Sequence, residues 1–384
     1  MTESATTRTP QVPRKTRVGI VFGGRSGEHE VSLTSARGIM AALDGNKYDI
    51  VPLGITKEGR WITDSDAVRL LETGEAAGAD QELPVSSGLF HVAQADSGER
   101  DAVRLNSQTL DVIFPILHGP HGEDGTIQGF LDLLDIPYVG AGVMASAVCM
   151  DKAISKDVFL AHDMPILPYR VFLRRTWESQ PEQVVDECEA TLDYPMFTKP
   201  ANMGSSVGIN RVHCREDLSA GLTEATLYDR KMIVEQGIEA REIEVSVLGN
   251  EDPIASVPGE IIPSRSFYSY AAKYLDDASD LLIPAPISAE QTGRVQHLAI
   301  QAYTTVDCAG MARVDFLMDK TTDDIWLNEI NTIPGFTPIS MYPKLWEASG
   351  ISYAELIDRL IQLAVDRYED KMRSATSFDV SKAT

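Results

Sequence analysis

Two short segments near the C-terminal end constrain the fold most: ARVDFLMD (Ala312–Asp319) and WLNEINTIPGFTP, which starts at Trp326. Met311–Met318 and Ile325–Ile330 read as strands around a short polar turn. Residues two apart in a strand share a face, so Arg313 projects with Asp315, and Glu329 with Asn331. If the two strands pair as a hairpin, Asp315, Glu329 and Asn331 converge into an all-oxygen set. The alternative is a polar sheet face turned to solvent. Phe316, Leu317, Trp326 and Leu327 mark both strands as largely buried, and a buried acidic cluster without a cation would be costly. Hard Mg²⁺ prefers such ligands, completing its octahedron with water and phosphate oxygens. Arg313 beside them suits a centre where negative charge develops.

The opposite end of the chain carries a second constraint. Val18–Phe22 reads as a buried strand running into the glycine turn of VFGGRSGEHEVS (Val21–Ser32), after which Leu33, Ala36, Met40 and Leu43 fall on one helical face. Tyr48–Thr56 and Asp111–Ile116 read as further strands, and 74–108 as an irregular surface excursion. This pattern predicts an open α/β sheet, whose ligand crevice lies at the carboxyl ends of its strands. The glycine turn and the loop HGPHGEDG (His118–Gly125) both fall there. Glycines before a helix usually attract anions, but Glu28 and Glu30 would repel a phosphate.

Three further stretches point to a nucleotide. TKPANMGSSVGI (Thr198–Ile209) delivers Lys199 on a strand and follows it with a loop of small residues, Gly204, Ser205, Ser206 and Gly208. Such a loop can close backbone N–H groups over phosphates, or it can be an ordinary hairpin. It is not a Walker loop, because the lysine precedes the glycines. In IVEQGIEAREIEV (Ile233–Val245), Glu235 and Glu242 bracket a chain crossover, either holding an adenosine or lying on the surface. Lys152, in CMDKAISK, either faces the same cleft or is an exposed helical lysine.

At 384 residues the chain exceeds what one core usually spans. The pattern divides it into a disordered arm (1–16), the α/β domain (17–148), a smaller α/β unit (149–240), a third region (241–370) and a tail (371–384). The middle unit has strand-like pieces at Tyr169–Leu173, Pro195–Lys199, Gly208–Val212 and Lys231–Glu235, and the third has Glu242–Leu248 and Pro253–Ile262. Capping boxes at Ser288/Gln291 and Ser352/Glu355 open two late helices. With 34 basic and 57 acidic residues the net charge is -23, which opposes nucleic acid and anionic membranes as partners. No apolar run approaches the ~20 residues of a membrane span. Four scattered cysteines without a CxxC pair predict buried thiols in a cytoplasmic protein. His118 and His121 have HxxH spacing, but Gly119 and Pro120 break the helix such zinc sites use.

These motifs, in this order, resemble the ATP-grasp superfamily. With GGRSGEHEVS, LHGPHGEDG, SYAAKYLDD and NTIPGFTPIS added, residues 17–370 resemble the bacterial D-alanine–D-alanine ligase family. The resemblance implies a three-domain ATP-grasp architecture, α/β with α+β elements in the later domains. It implies ATP as co-substrate and two Mg²⁺ ions, replaceable by Mn²⁺, on Asp315, Glu329 and Asn331. Lys152 and Lys199 would contact phosphates, and Ser206 and Asn328 would also bind ATP. Glu235, Gln236 and Ile238 would meet adenine, and Glu242 the ribose. Glu28 would hold the ammonium of the first D-alanine, with His118 close by. Lys273 and Ser340 would take the carboxylate of the second. Arg313 and the Gly335 N–H would polarise the acyl centre, and Ser205 and Tyr274 would latch onto Glu28. The implied partners are D-alanine, ATP and a second copy of the chain. A D-alanine–D-lactate ligase, or another ATP-grasp carboxylate–amine ligase, is the alternative. The Lys273–Tyr274 pair matches the dipeptide-forming pattern. A NAD-dependent dehydrogenase would explain the first turn, but its spacing is not GxGxxG and the acid–amide set would have no use.

Overall fold

The computed structural model describes residues 14–75, 90–93, 102–105, 108–262, 280–337 and 339–375. The N-terminal sheet runs Trp61–Thr63, Tyr48–Ile55, Thr16–Gly23, Val112–Ile116. The last three strands are parallel, and Trp61–Thr63 folds back antiparallel. The strand Thr16–Gly23 is apolar on both faces because both are covered. Val18, Ile20 and Phe22 pack against Leu33, Ala36 and Ile39 of helix His29–Ala42, and against Leu356, Leu360 and Ile361 of helix Tyr353–Lys371. Val21, Leu53 and Ile113 meet Ile127 and Leu131 on the other face. The C-terminal helix therefore completes the core of the N-terminal sheet. Residues 74–108 are not wholly irregular: Phe90–Ala93, Ala102–Leu105 and Gln108–Thr109 form a small antiparallel sheet. Strands this short, separated by polar residues, leave no readable periodicity.

Two antiparallel sheets follow. The smaller orders Asn210–Val212, Met196–Pro200, Lys231–Gln236 and Tyr169–Leu173. Val184, Val185, Leu218 and Leu222 of two helices back it. The larger orders Asp280–Leu282, Gly259–Ile262, Ala240–Gly249, Gly310–Asp319 and Ile325–Asn331, with Ile254–Ala255 at its side. Helix Ala289–Thr305 packs behind it through Val295, Ala299 and Tyr303. That helix opens on the full capping box, Ser288 Oγ accepting from the Gln291 N–H and Gln291 from the Ser288 N–H. At Ser352 only the serine half of the predicted box forms.

Phe336 ties the last sheet to the first domain. It is fully buried, meets Phe114 edge-on at 6.0 Å and lies beside Tyr342 and Tyr353. Its N–H donates to Ser35 Oγ, and its carbonyl accepts from the Tyr353 hydroxyl at 2.8 Å. The NTIPGF loop is thereby fixed relative to the glycine turn. No helix among the described residues is long and apolar enough to cross a membrane.

Candidate active site

The late hairpin forms as the alternation predicts, Arg313 opposite Asn331 and Asp315 opposite Glu329. A register shift after Asp315 places Phe316 opposite Leu327, which leaves Asn328 as an extra residue. Such a bulge re-aims side chains: Asn328 and Glu329 both escape the core, while Leu327 and Ile330 stay buried. Leu317 and Trp326 correct the sequence reading. Phe316 and Leu327 are the core residues; Leu317 and Trp326 face each other half-buried on the side that carries Asp315.

Arg313 donates from Nε and Nη2 to the two Asp315 oxygens at 2.8 and 2.7 Å, and its Nε lies 3.0 Å from Glu244 Oε2. Asn331 Nδ2 donates to Asp315 Oδ2 at 2.9 Å. Lys152 Nζ lies 3.3 Å from Glu329 Oε2 and donates to the Met203 carbonyl at 2.9 Å. The cluster thus sets three carboxylates, Glu244, Asp315 and Glu329, against two cations, Arg313 and Lys152. Among the described residues no three His, Cys, Asp or Glu side chains are arranged to hold a metal ion. Asp315 and Glu329, only 14% and 23% exposed, with the Asn331 carboxamide, supply oxygen donors of the type a hard divalent ion takes.

The smaller sheet supplies the opposing wall. Lys199 and Phe197 lie on the face that carries Glu235, their strand pairing with Lys231–Gln236. Both oxygens of the buried Glu235 carboxylate are engaged, Oε1 by Lys156 and Oε2 by Lys199. Burial alone would raise its pKa, but the two ammonium groups override that and hold it at about 2. Each Glu235 oxygen thus carries one ammonium contact, and the connector 237–239 follows this strand. Gln236 turns its side chain to Asp193 and Pro195, which braces that connector, and Ile238 is half-buried on it. Glu242 and Ser206 are half-buried at the cleft. Because the folded pKa of Glu235 lies below the ordinary value of 4.5, its contribution to stability is present above about pH 4.5. It is lost as the pH falls towards 2. The stability gap between wild type and Glu235→Gln, on the order of 3 kcal/mol at neutral pH, should shrink over that window in urea melts.

At the N-terminal wall Glu28 is buried and accepts from Ser205 Oγ. Gly119 and Gly204 crowd its second oxygen: a Cβ would sit 2.9 Å from it at Gly119 and 3.2 Å at Gly204. Ser205 and Ser206 both have positive φ, 51° and 59°, a strained backbone of the kind found at functional sites. His118 is buried, with Nδ1 2.9 Å from the Ile333 carbonyl, so Nδ1 carries the proton and Nε2 is left without a hydrogen-bond partner. Burial lowers its pKa despite the Glu28 charge, keeping the ring neutral.

Three residues escaped the sequence reading. Glu123 accepts from the N–H groups of Gly119 (2.7 Å) and Ile333 (3.1 Å), joining the loop of His118–Gly125 to the NTIPGF loop. Burial and the Glu28 charge push its pKa up to about 8, although Arg313 pulls the other way. Glu244 and Lys156 are the others; each shares a face with a residue already singled out, Glu242 two positions before on the strand and Lys152 one helical turn before. Gly335 lies against Ser340, where a Cβ would meet Oγ at 2.8 Å, and that hydroxyl caps the Thr337 N–H at 3.0 Å. Lys273 and Tyr274 lie outside the described residues.

Two antiparallel sheets that share one cleft, lysines on one and an acid–amide set on the other, define the ATP-grasp class. Two family models match, "D-ala D-ala ligase N-terminus" over residues 17–141 and "D-ala D-ala ligase C-terminus" over 158–362, so the chain belongs to the D-alanine–D-alanine ligase family. It is 51% identical to the D-alanine–D-alanine ligase of Heliobacterium modesticaldum over 94% of this chain and 98% of that one. It is 50% identical to the ligase of Thermoanaerobacter sp. over 94% and 99%. Among solved structures, it resembles the D-alanine–D-alanine ligase of Coxiella burnetii with a TM-score of 0.77 at 36% identity, covering 94% and 96%. It also resembles the VanG D-Ala:D-Ser ligase of Enterococcus faecalis, with a TM-score of 0.77 at 34% identity, covering 91% and 100%.

Proposed function

We propose that this protein joins two D-alanine molecules into D-alanyl-D-alanine, a peptidoglycan precursor, with ATP cleaved to ADP and phosphate. One observation carries the reading: Glu123 accepts from the N–H groups of both Gly119 and Ile333, which ties the loop against Glu28 to the loop that follows Asn331 of the acid–amide strand. An acidic glycine turn is explained by a cationic ligand. Glu28 takes the ammonium of the first D-alanine, with Ser205 locking the carboxylate in place. The carboxylate of that molecule, a poor electrophile, becomes an acyl phosphate. The amine of the second D-alanine attacks it, and phosphate leaves. Arg313 and the Gly335 N–H stabilise the tetrahedral oxyanion. Lys273 and Ser340 hold the acceptor's carboxylate. Lys152 and Lys199 meet the phosphates, beneath Ser206. The 235–238 backbone meets adenine, and Glu242 meets the ribose.

Asp315, Glu329 and Asn331 would hold two Mg²⁺ ions, or Mn²⁺ in their place, with Asn328 on the bulge binding ATP. When bound, these neutralise phosphate charge. The protein acts in the cytoplasm as a homodimer. Leu133 (87% exposed), Met144 (57%), Val143 and Phe130 lie on two packed helices and offer an apolar face to a second copy. Leu133→Glu should shift the sedimentation profile to monomer; an unchanged profile rejects that face.

Glu28→Gln should chiefly raise the KM of the donor D-alanine, and Ser340→Ala that of the acceptor. Each lost charge-assisted contact costs about 1.5–3 kcal/mol, roughly tenfold to a hundredfold. Equal effects of both variants on both constants would remove the distinction. Because a D-Ala:D-Ser ligase shares this fold, the acceptor must be tested directly. Phosphate release should be greatest with D-alanine alone, compared with added D-lactate or D-serine across a pH range. Stronger release with D-lactate would move the reading to the ester-forming alternative.

A further inference from the structure

We propose that Lys156 is a positioning residue that keeps the charge of Lys199 available to the phosphates of the nucleotide, an inference that rests on the reading of this cleft as an ATP site. Lys156 lies one helical turn after Lys152 on helix Lys152–Ala161, but much deeper, with its side chain 3% exposed against 12% for Lys152 and for Lys199. At that depth it is not placed to touch a ligand. Its ammonium contacts Glu235 Oε1 and lies 5.9 Å from the Tyr169 ring centroid, while Lys199 contacts Oε2.

Burial lowers the pKa of Lys156 and the Glu235 charge opposes that. With both lysines as ammonium groups, two cations share one buried carboxylate and the trio carries one surplus positive charge. Lys156 is walled in, so the surplus is expressed through Lys199 at the cleft. Glu329, which acts on both lysines, is itself met by Lys152, and Glu242 acts on Lys199 from the cleft side. Without Lys156, Glu235 and Lys199 would form a neutral pair, and Lys199 would be drawn onto the carboxylate. A residue that merely fills space could be replaced by methionine without consequence for phosphate. A charge-balancing residue could not.

The test measures calorimetric dissociation constants of ADP and of adenosine for the full-length protein, for Lys156→Met, and for Lys156→Met/Glu235→Gln. The single variant should bind ADP about tenfold or more weakly, because a unit charge near the phosphates is removed. Adenosine, which has no phosphate, should change by less than about twofold. The double variant removes one cation and the anion together, restores the surplus charge, and should return ADP affinity to within about threefold of wild type. Equal losses for ADP and adenosine overturn the proposal, as does a double variant as weak as the single. If Lys156→Met does not fold, the double variant decides alone: ADP binding about tenfold below wild type overturns it. Failure of the wild type to bind ADP would instead reject the nucleotide site itself.

Discussion

Asp315→Ala and Glu329→Ala should each lower ATP-dependent turnover by about three or more orders of magnitude, since several kcal/mol of transition-state stabilisation depends on the oxygen set they complete. Asp315→Ala should do so without destabilising the fold. The cluster holds Glu244, Asp315 and Glu329 against Arg313 and Lys152. Removing one acid balances the charges, and Arg313 keeps Glu244 as its partner at 3.0 Å. Steady-state rates across a Mg²⁺ titration, beside thermal unfolding, check both halves. Near-normal Mg²⁺-dependent turnover in either variant would remove these residues from the metal site.

Arg313→Met should behave differently. It takes the shared guanidinium from Glu244 and Asp315, while Glu329 keeps Lys152, and an uncompensated buried charge costs about 3–5 kcal/mol. Turnover should also fall, by about 10²–10³, the usual cost of losing a donor to a developing oxyanion. The two variants therefore separate two roles within one cluster: the acid is needed for activity alone, the guanidinium for activity and stability together. A stable Arg313→Met protein would mean that the carboxylates find other compensation, and the charge argument would fail.

The faces of the late hairpin were legible because a strand's side chains alternate, and that rule alone brings Arg313, Asp315, Glu329 and Asn331 together. The bulge at Asn328 was not legible, because an extra residue in one strand leaves no mark in the apolar pattern of either. The same gap explains why Leu317 and Trp326 read as core. Glu244 and Lys156 could have been found by applying the strand and helix periods to Glu242 and Lys152. Glu123 could not, since its link to Ile333 spans the chain and depends on how Phe336 and helix Tyr353–Lys371 dock on the first sheet. Glu28 was legible by its oddity, an acid where a phosphate-binding turn would be basic or neutral.

That docking joins the loop of Gly119 and Glu123 to Ile333, and the chemistry proposed for this cleft leaves an isotopic mark. D-alanine labelled with ¹⁸O in its carboxylate, turned over with ATP and Mg²⁺, should transfer one labelled oxygen to inorganic phosphate for every dipeptide formed, because the donor carboxylate attacks phosphorus before the amine attacks carbon. Unlabelled phosphate, released in step with dipeptide, would contradict carboxylate activation in this cleft.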